Sequence, residues 1–133
     1  MSIGFAGSRH GMSPHQRLQL MTFFTSLMRG MDNVSILHHG DCIGADAEAH
    51  DLAVTIAFPV VIHPPKDDKL RAYCTGSVRE APAEYQICTQ AIVDECDVIV
   101  AAPYTDEESQ RSHTWDTIRY ARKFPKPILM LRR

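Results

Sequence analysis

Three short runs in this chain carry the residue types that hold an anion: Gly7-Ser8-Arg9, Gly40-Asp41-Cys42-Ile43-Gly44-Ala45-Asp46, and Arg111-Ser112-His113-Thr114 continuing to Thr117. Small residues let a ligand approach the backbone, hydroxyls and arginines donate to it, and a helix start adds a partial positive charge. That combination suits a phosphate. The first run departs from G-x-G-x-x-G, and a glycine turn after a strand also serves plain tight packing. The second, with two glycines and the small Ala45 ahead of Asp46, is more specific; its bland reading is an acidic helix cap. In the third, Ser112 could act only as an N-cap, or hold phosphate or ribose together with Arg111.

Other chemistries find less support. No G-x-x-x-x-G-K-S/T run is present for P-loop nucleotide hydrolysis, and no G-x-S-x-G elbow for a serine hydrolase. His38, His39, Cys42 and His63 suggest zinc by type, but adjacent residues of an extended run point to opposite faces, so the sequence is read as having no metal site and needing no cofactor. Glu80, Glu84 and Asp106-Glu107-Glu108 read as solvated loop charge. Arg71 and Arg79 read equally well as a lid over bound phosphate and as surface cations.

The elements that position these runs follow from apolar spacing. Strands are predicted at residues 2–6, 34–38, 59–63, 97–103 and 127–131; the fourth is apolar on both faces and therefore central. Helices are predicted from Ser13-Pro14 to about Gly30, from Gly44 to Ala57, from Ala83 to Glu95 and from Ser112 to Phe124. The first opens with a capping box, Ser13 with Gln16, and turns Leu20, Phe24, Leu27, Met28 and Met31 inward. The second buries Ala45, Ala49, Leu52, Ala53 and Ile56, the third Ile87, Ala91 and Ile92. Residues 64–82 form a long polar loop. Such β-α alternation implies an α/β fold: one Rossmann-like three-layer domain over residues 1–133, with a parallel five-stranded sheet in the order 3-2-1-4-5. Its ligand site falls beyond the carboxyl ends of the strands, between the first and fourth, where the three runs converge.

Composition agrees with a globular chain. It has 133 residues, 44% hydrophobic and 23% charged, with a formal net charge of −2. No general attraction to a polyanion follows, so nucleic acid is an unexpected partner. No apolar run approaches the ~20 residues of a membrane span and no signal peptide is evident, which gives a cytoplasmic expectation with the four cysteines as free thiols.

At this point the residues resemble a family, the SLOG superfamily of Rossmann-like nucleotide-binding proteins, which groups the LOG phosphoribohydrolases with the DNA-processing Smf/DprA proteins. The resemblance lies in Gly7-Ser8-Arg9, His39-Gly40 with Gly44-Ala45-Asp46, the run Asp97 to Pro103, and Arg111 to Thr117. It implies a nucleotide or nucleotide-derived phosphate ligand held by Gly7, Ser8, Arg9, Gly40, Asp41, Gly44, Ala45, Asp46, Pro103, Arg111, Ser112, His113, Thr114 and Thr117. Members that hydrolyse nucleoside monophosphates carry an Arg ahead of the central strand and a Glu after the Gly-Thr of their P-G-G-x-G-T-x-x-E motif. The same counting lands here on Cys88 and Thr117, neither of which replaces the lost chemistry.

The expected function is therefore binding, as a sensor, carrier or sequestering module. The alternative is a LOG-like nucleotide hydrolase with a departed site using Asp41, Asp46 or His113; a DprA-like DNA module is a third class, disfavoured by charge. Self-association is expected through Phe23 with Leu27 or Ile87 with Ala91.

Overall fold

The computed structural model describes residues 1–30, 34–75 and 78–133. Six strands, β1 (Ser2–Gly7), β2 (Ile36–His39), β3 (Val60–Ile62), β4 (Val78–Arg79), β5 (Val98–Ala102) and β6 (Ile128–Met130), form one parallel sheet in the order β4-β3-β2-β1-β5-β6. Among the described residues four α-helices, α1 (Pro14–Gly30), α2 (Ala45–Thr55), α3 (Tyr85–Glu95) and α4 (His113–Arg122), lie between successive strands, save between β3 and β4, which a 3-10 turn at Asp68–Leu70 connects. The expected five strands stand in the expected order. The sixth, β4, lies inside the predicted loop and adds an edge to β3, with Val61 opposite Val78.

The sheet separates two apolar layers. On one face Leu20 and Phe24 of α1 and Ala45, Ala49 and Ala53 of α2 pack on Ile3, Phe5, Leu37, Ile62 and Val100. On the other, Ile92 and Val93 of α3 and Ala121 of α4 pack on Ile99, while Trp115 and Ile118 of α4 pack on Ala101. Alternation along β5 thus feeds both layers, which is why that strand reads as apolar throughout. Ser13 and Gln16 form the reciprocal capping box: the Gln16 N–H donates to Ser13 Oγ (3.1 Å) and the Ser13 N–H to Gln16 Oε1 (3.0 Å). The buried Gln16 amide also donates to the Pro103 and Leu131 carbonyls, tying α1 to the ends of β5 and β6.

Two inward assignments are corrected. Met28 is 51% exposed and Ile87 55% exposed, because α1 meets the core through Phe24 and Leu27 at that end and α3 turns Cys88, Ile92 and Val93 to the core instead. Phe23 and Leu27 pack against the core, and Met31 lies outside the described residues. No helix among the described residues is long and apolar enough to cross a membrane.

Candidate functional site

Where β1 and β5 run side by side their successors diverge, one toward α1 and one toward α4, and a cleft must open beyond their carboxyl ends. A cavity of about 370 Å³ lies there, within the size range of small-molecule sites. Gly7, Ser8, Arg9, Gly40, Asp46, Arg111, Ser112, His113, Thr114 and Thr117 line it together, from all three candidate runs. Asp41, Gly44, Ala45 and Pro103 do not.

The four that stand outside have visible work. Gly44, at φ +92°, lies behind the turn after β1: a Cβ there would sit 2.4 Å from the Arg9 carbonyl oxygen. Ala45 donates its N–H to the Ser8 carbonyl (2.9 Å), and a Cβ on Gly7 would meet the Ala45 methyl at 2.5 Å. The smallness of this run therefore lets two turns pack on each other. Asp41 faces the long loop, its carboxylate accepting from the Cys74 N–H (2.9 Å) and pairing with Arg71 Nε (3.4 Å). Pro103 is buried, its carbonyl held by Gln16.

This bonding also decides which donors remain for a ligand. The Gly40 and Cys42 N–H groups both donate to Asp46 Oδ2 at 3.2 Å, so two donors of the loop before α2 are taken by a carboxylate of that helix. Asp46 is 5% exposed, and burial pushes its carboxyl up to about 7 against the pull of those two N–H groups. At α4, Ser112 Oγ accepts from the Trp115 N–H (3.3 Å), while the N–H groups of the first helical residues, His113 and Thr114, have no acceptor within the helix. Arg9 and Arg111, both exposed, line the same cavity as that helix start. Donors not already bonded within the chain are therefore found at α4, at the cavity's edge.

The fold is shared with two solved structures. One is the X-ray structure of TM1055, a structural genomics target, at TM-score 0.65 and 16% identity over 96% of this chain and 71% of that one. The other is the Moco carrier protein from Chlamydomonas reinhardtii, at TM-score 0.63 and 18% identity over 98% of this chain and 75% of that one. No protein-family profile matches the sequence, and no curated protein matches it.

Sequence reasoning missed the aromatic walls of the cavity. His10 and Tyr104 pair at 4.8 Å between ring centroids, and Tyr85 and His113 at 4.6 Å, all four lining the cavity. A signal existed: Tyr104 lies two residues past the end of the central strand, and Tyr85 opens the helix leading into it. Cys88 and Thr117 also face the cavity, with the Cys88 thiol pushed up by burial and Thr117 Oγ donating to the His113 carbonyl (3.1 Å). Arg71 and Arg79 are not among the lining residues; Arg71 stacks 4.2 Å over the Tyr73 ring and Arg79 donates to the Cys74 carbonyl (3.1 Å).

Proposed function

We propose that the chain acts as one ligand-binding unit of SLOG type, holding a nucleotide or nucleotide-derived phosphate compound as a carrier, sensor or sequestering module. The observation that carries this reading is the pairing, in one cavity, of a free helix N-terminus and two arginines with two aromatic pairs: an anion subsite beside walls that accept a flat heterocycle. A fold neighbour described as a Moco carrier protein supports carriage of a small molecule.

Turnover is the weaker reading. Cleaving an N-glycosidic bond needs a carboxylate beside the anomeric carbon or the attacking water. Among the described residues Asp46 is the one carboxylate lining the cavity, and it is buried and bonded to two backbone N–H groups. Cys88 and Thr117, at the positions where hydrolytic SLOG members carry Arg and Glu, offer neither a cation nor a base. Asp41 points to the loop, leaving His113 as a half-exposed ring without a buried orienting partner.

The test is a panel of adenine, guanine and pterin phosphates read by thermal shift and by chromatography for released base. Binding without base release is expected. Arg111→Ala should weaken binding by roughly 10–100-fold, the worth of a charge-assisted contact of about 1.5–3 kcal/mol, with the unliganded melting temperature unchanged. Turnover at about 1 s⁻¹, lost in Asp46→Asn or His113→Ala, would establish the hydrolase instead.

A further inference from the structure

His38 and His39 do point to opposite faces of the sheet, and each meets further metal-ligand types there: His39 with His50 and Cys74, His38 with His63 and Glu95. The two clusters differ in how their protons are held.

On the α2 side every ring nitrogen has an assigned partner. The Asp41 N–H donates to His39 Nδ1 (2.9 Å), so the His39 proton sits on Nε2 and is given to His50 Nδ1 (3.0 Å). His50 Nε2–H then donates to the Thr75 carbonyl (3.1 Å). A metal on His39 Nε2 would require a proton on Nδ1, facing the Asp41 N–H. This cluster is a satisfied hydrogen-bond relay.

On the α3 side the lone pairs converge. His63 Nε2 lies 3.0 Å from His38 Nδ1 and 3.4 Å from Glu95 Oε2. A single proton on His63 Nε2 serves one of these acceptors and leaves the other facing it. Ligand atoms bound tetrahedrally at zinc distances stand about 3.3 Å apart, close to both separations. Both imidazoles are buried, while Glu95 is half exposed and opens the cluster to solvent. Glu80, anchored by its N–H to the Ile62 carbonyl (2.8 Å), adds negative charge felt by both rings.

We propose that His38, His63 and Glu95 form a binding site for a divalent transition metal ion of the zinc or cobalt type, with a fourth position open to solvent or to Glu80. Two imidazoles and one carboxylate with an open position is a donor set suited to such ions. None of the three residues lines the ligand cavity, so the site stands whatever that cavity binds.

Full-length protein freed of metal by chelator dialysis is titrated with Co²⁺, followed by absorbance, and with Zn²⁺, followed by calorimetry. One ion per chain is expected, with a rise in melting temperature and ligand-field bands free of thiolate-to-cobalt charge transfer. Glu95→Gln, a change at a half-exposed side chain, should weaken binding at least about tenfold, a loss at the lower end of that seen even for outer-shell changes, whereas Cys74→Ser should leave it unchanged. His63→Gln should abolish it; should that variant not fold, Glu95→Ala carries the decision. The proposal fails on any of three results: no stoichiometric binding at about 50 μM, the concentration regime of weak complexes; thiolate charge transfer that vanishes in Cys74→Ser, which places the ion in the other cluster; or affinity indifferent to Glu95.

Discussion

Gly44 is pressed against the backbone of Arg9, so closely that a Cβ would fall 2.4 Å from the Arg9 carbonyl oxygen and 2.6 Å from that of Ser8. The loop before α2 thereby braces the turn that carries Arg9 into the cavity. At φ +92° an L side chain is strained besides. Gly44→Ala should cost about 2–4 kcal/mol, combining backbone strain of about 1–3 kcal/mol with displacement of the turn, measured as a lowered urea midpoint with an unchanged m-value. Ligand affinity should fall with it. A stable variant that merely lost binding would mean that Gly44 faces the ligand after all.

Asp41 joins the same loop to the opposite neighbour. It stands at φ 56°, its carboxylate is fully buried, and it holds the Cys74 N–H and Arg71. Asp41→Ala leaves both partners without an acceptor and should cost about 3–5 kcal/mol, as breaking a buried pair does. Asp41→Asn, which tolerates the left-handed conformation and keeps one oxygen for Cys74, should cost clearly less. Hydrogen exchange at the Ala72 and Cys74 amides checks the mechanism: both should lose protection in Asp41→Ala before the sheet does.

Self-association, where it occurs, should use α3. Ile87 is 55% exposed, next to the half-buried Ala91, while Phe23 and Leu27 of α1 are engaged with the core. Ile87→Glu should then convert any dimer seen by light scattering at tens of micromolar, about the range where weak interfaces persist, to monomer. A dimer unmoved by that change uses another surface.

Much of the scaffold could be read from local chemistry. The capping box of Ser13 and Gln16 and the two-faced apolarity of β5 are signals that the packing does not override. β4 could not be read, because Val78 and Arg79 are exposed and owe their strand conformation to backbone pairing with β3 alone. At the cavity, types and spacing pointed to the three runs that line it, but not to what each residue faces. Gly44 and a phosphate-binding glycine look alike in sequence; here the neighbour turns out to be the chain's own Arg9 carbonyl. Likewise His38 and His39 are identical by type, and a one-residue step sends them to different clusters.

Their burial makes stability depend on pH in a direction that can be worked out. His39 is held down to about 3, by burial and then by the His50 ring, against the charge of Asp41. Burial likewise lowers His38, helped by His63, and lowers His63, with Glu95 and Glu80 opposing at both. In the unfolded chain these rings take up protons near 6.5. The native state binds fewer, so this stability is full above that value and falls as pH drops through it. Asp46 acts oppositely: its carboxyl, raised from 3.8 to about 7, binds a proton that the unfolded chain has released, so its contribution is full at low pH and lost as pH rises toward neutrality. Below about 6.5 His39 by itself offsets Asp46, and His38 and His63 add to it on the same side. Urea midpoints of protein freed of metal should therefore fall from about pH 7.5 to about pH 5, by up to about 1.4 kcal/mol per pH unit for each net proton. Asp46→Asn removes the opposing contribution and should steepen that fall. Midpoints flat across the range, or a shallower slope in Asp46→Asn, would show that these groups are not held in the states their burial imposes.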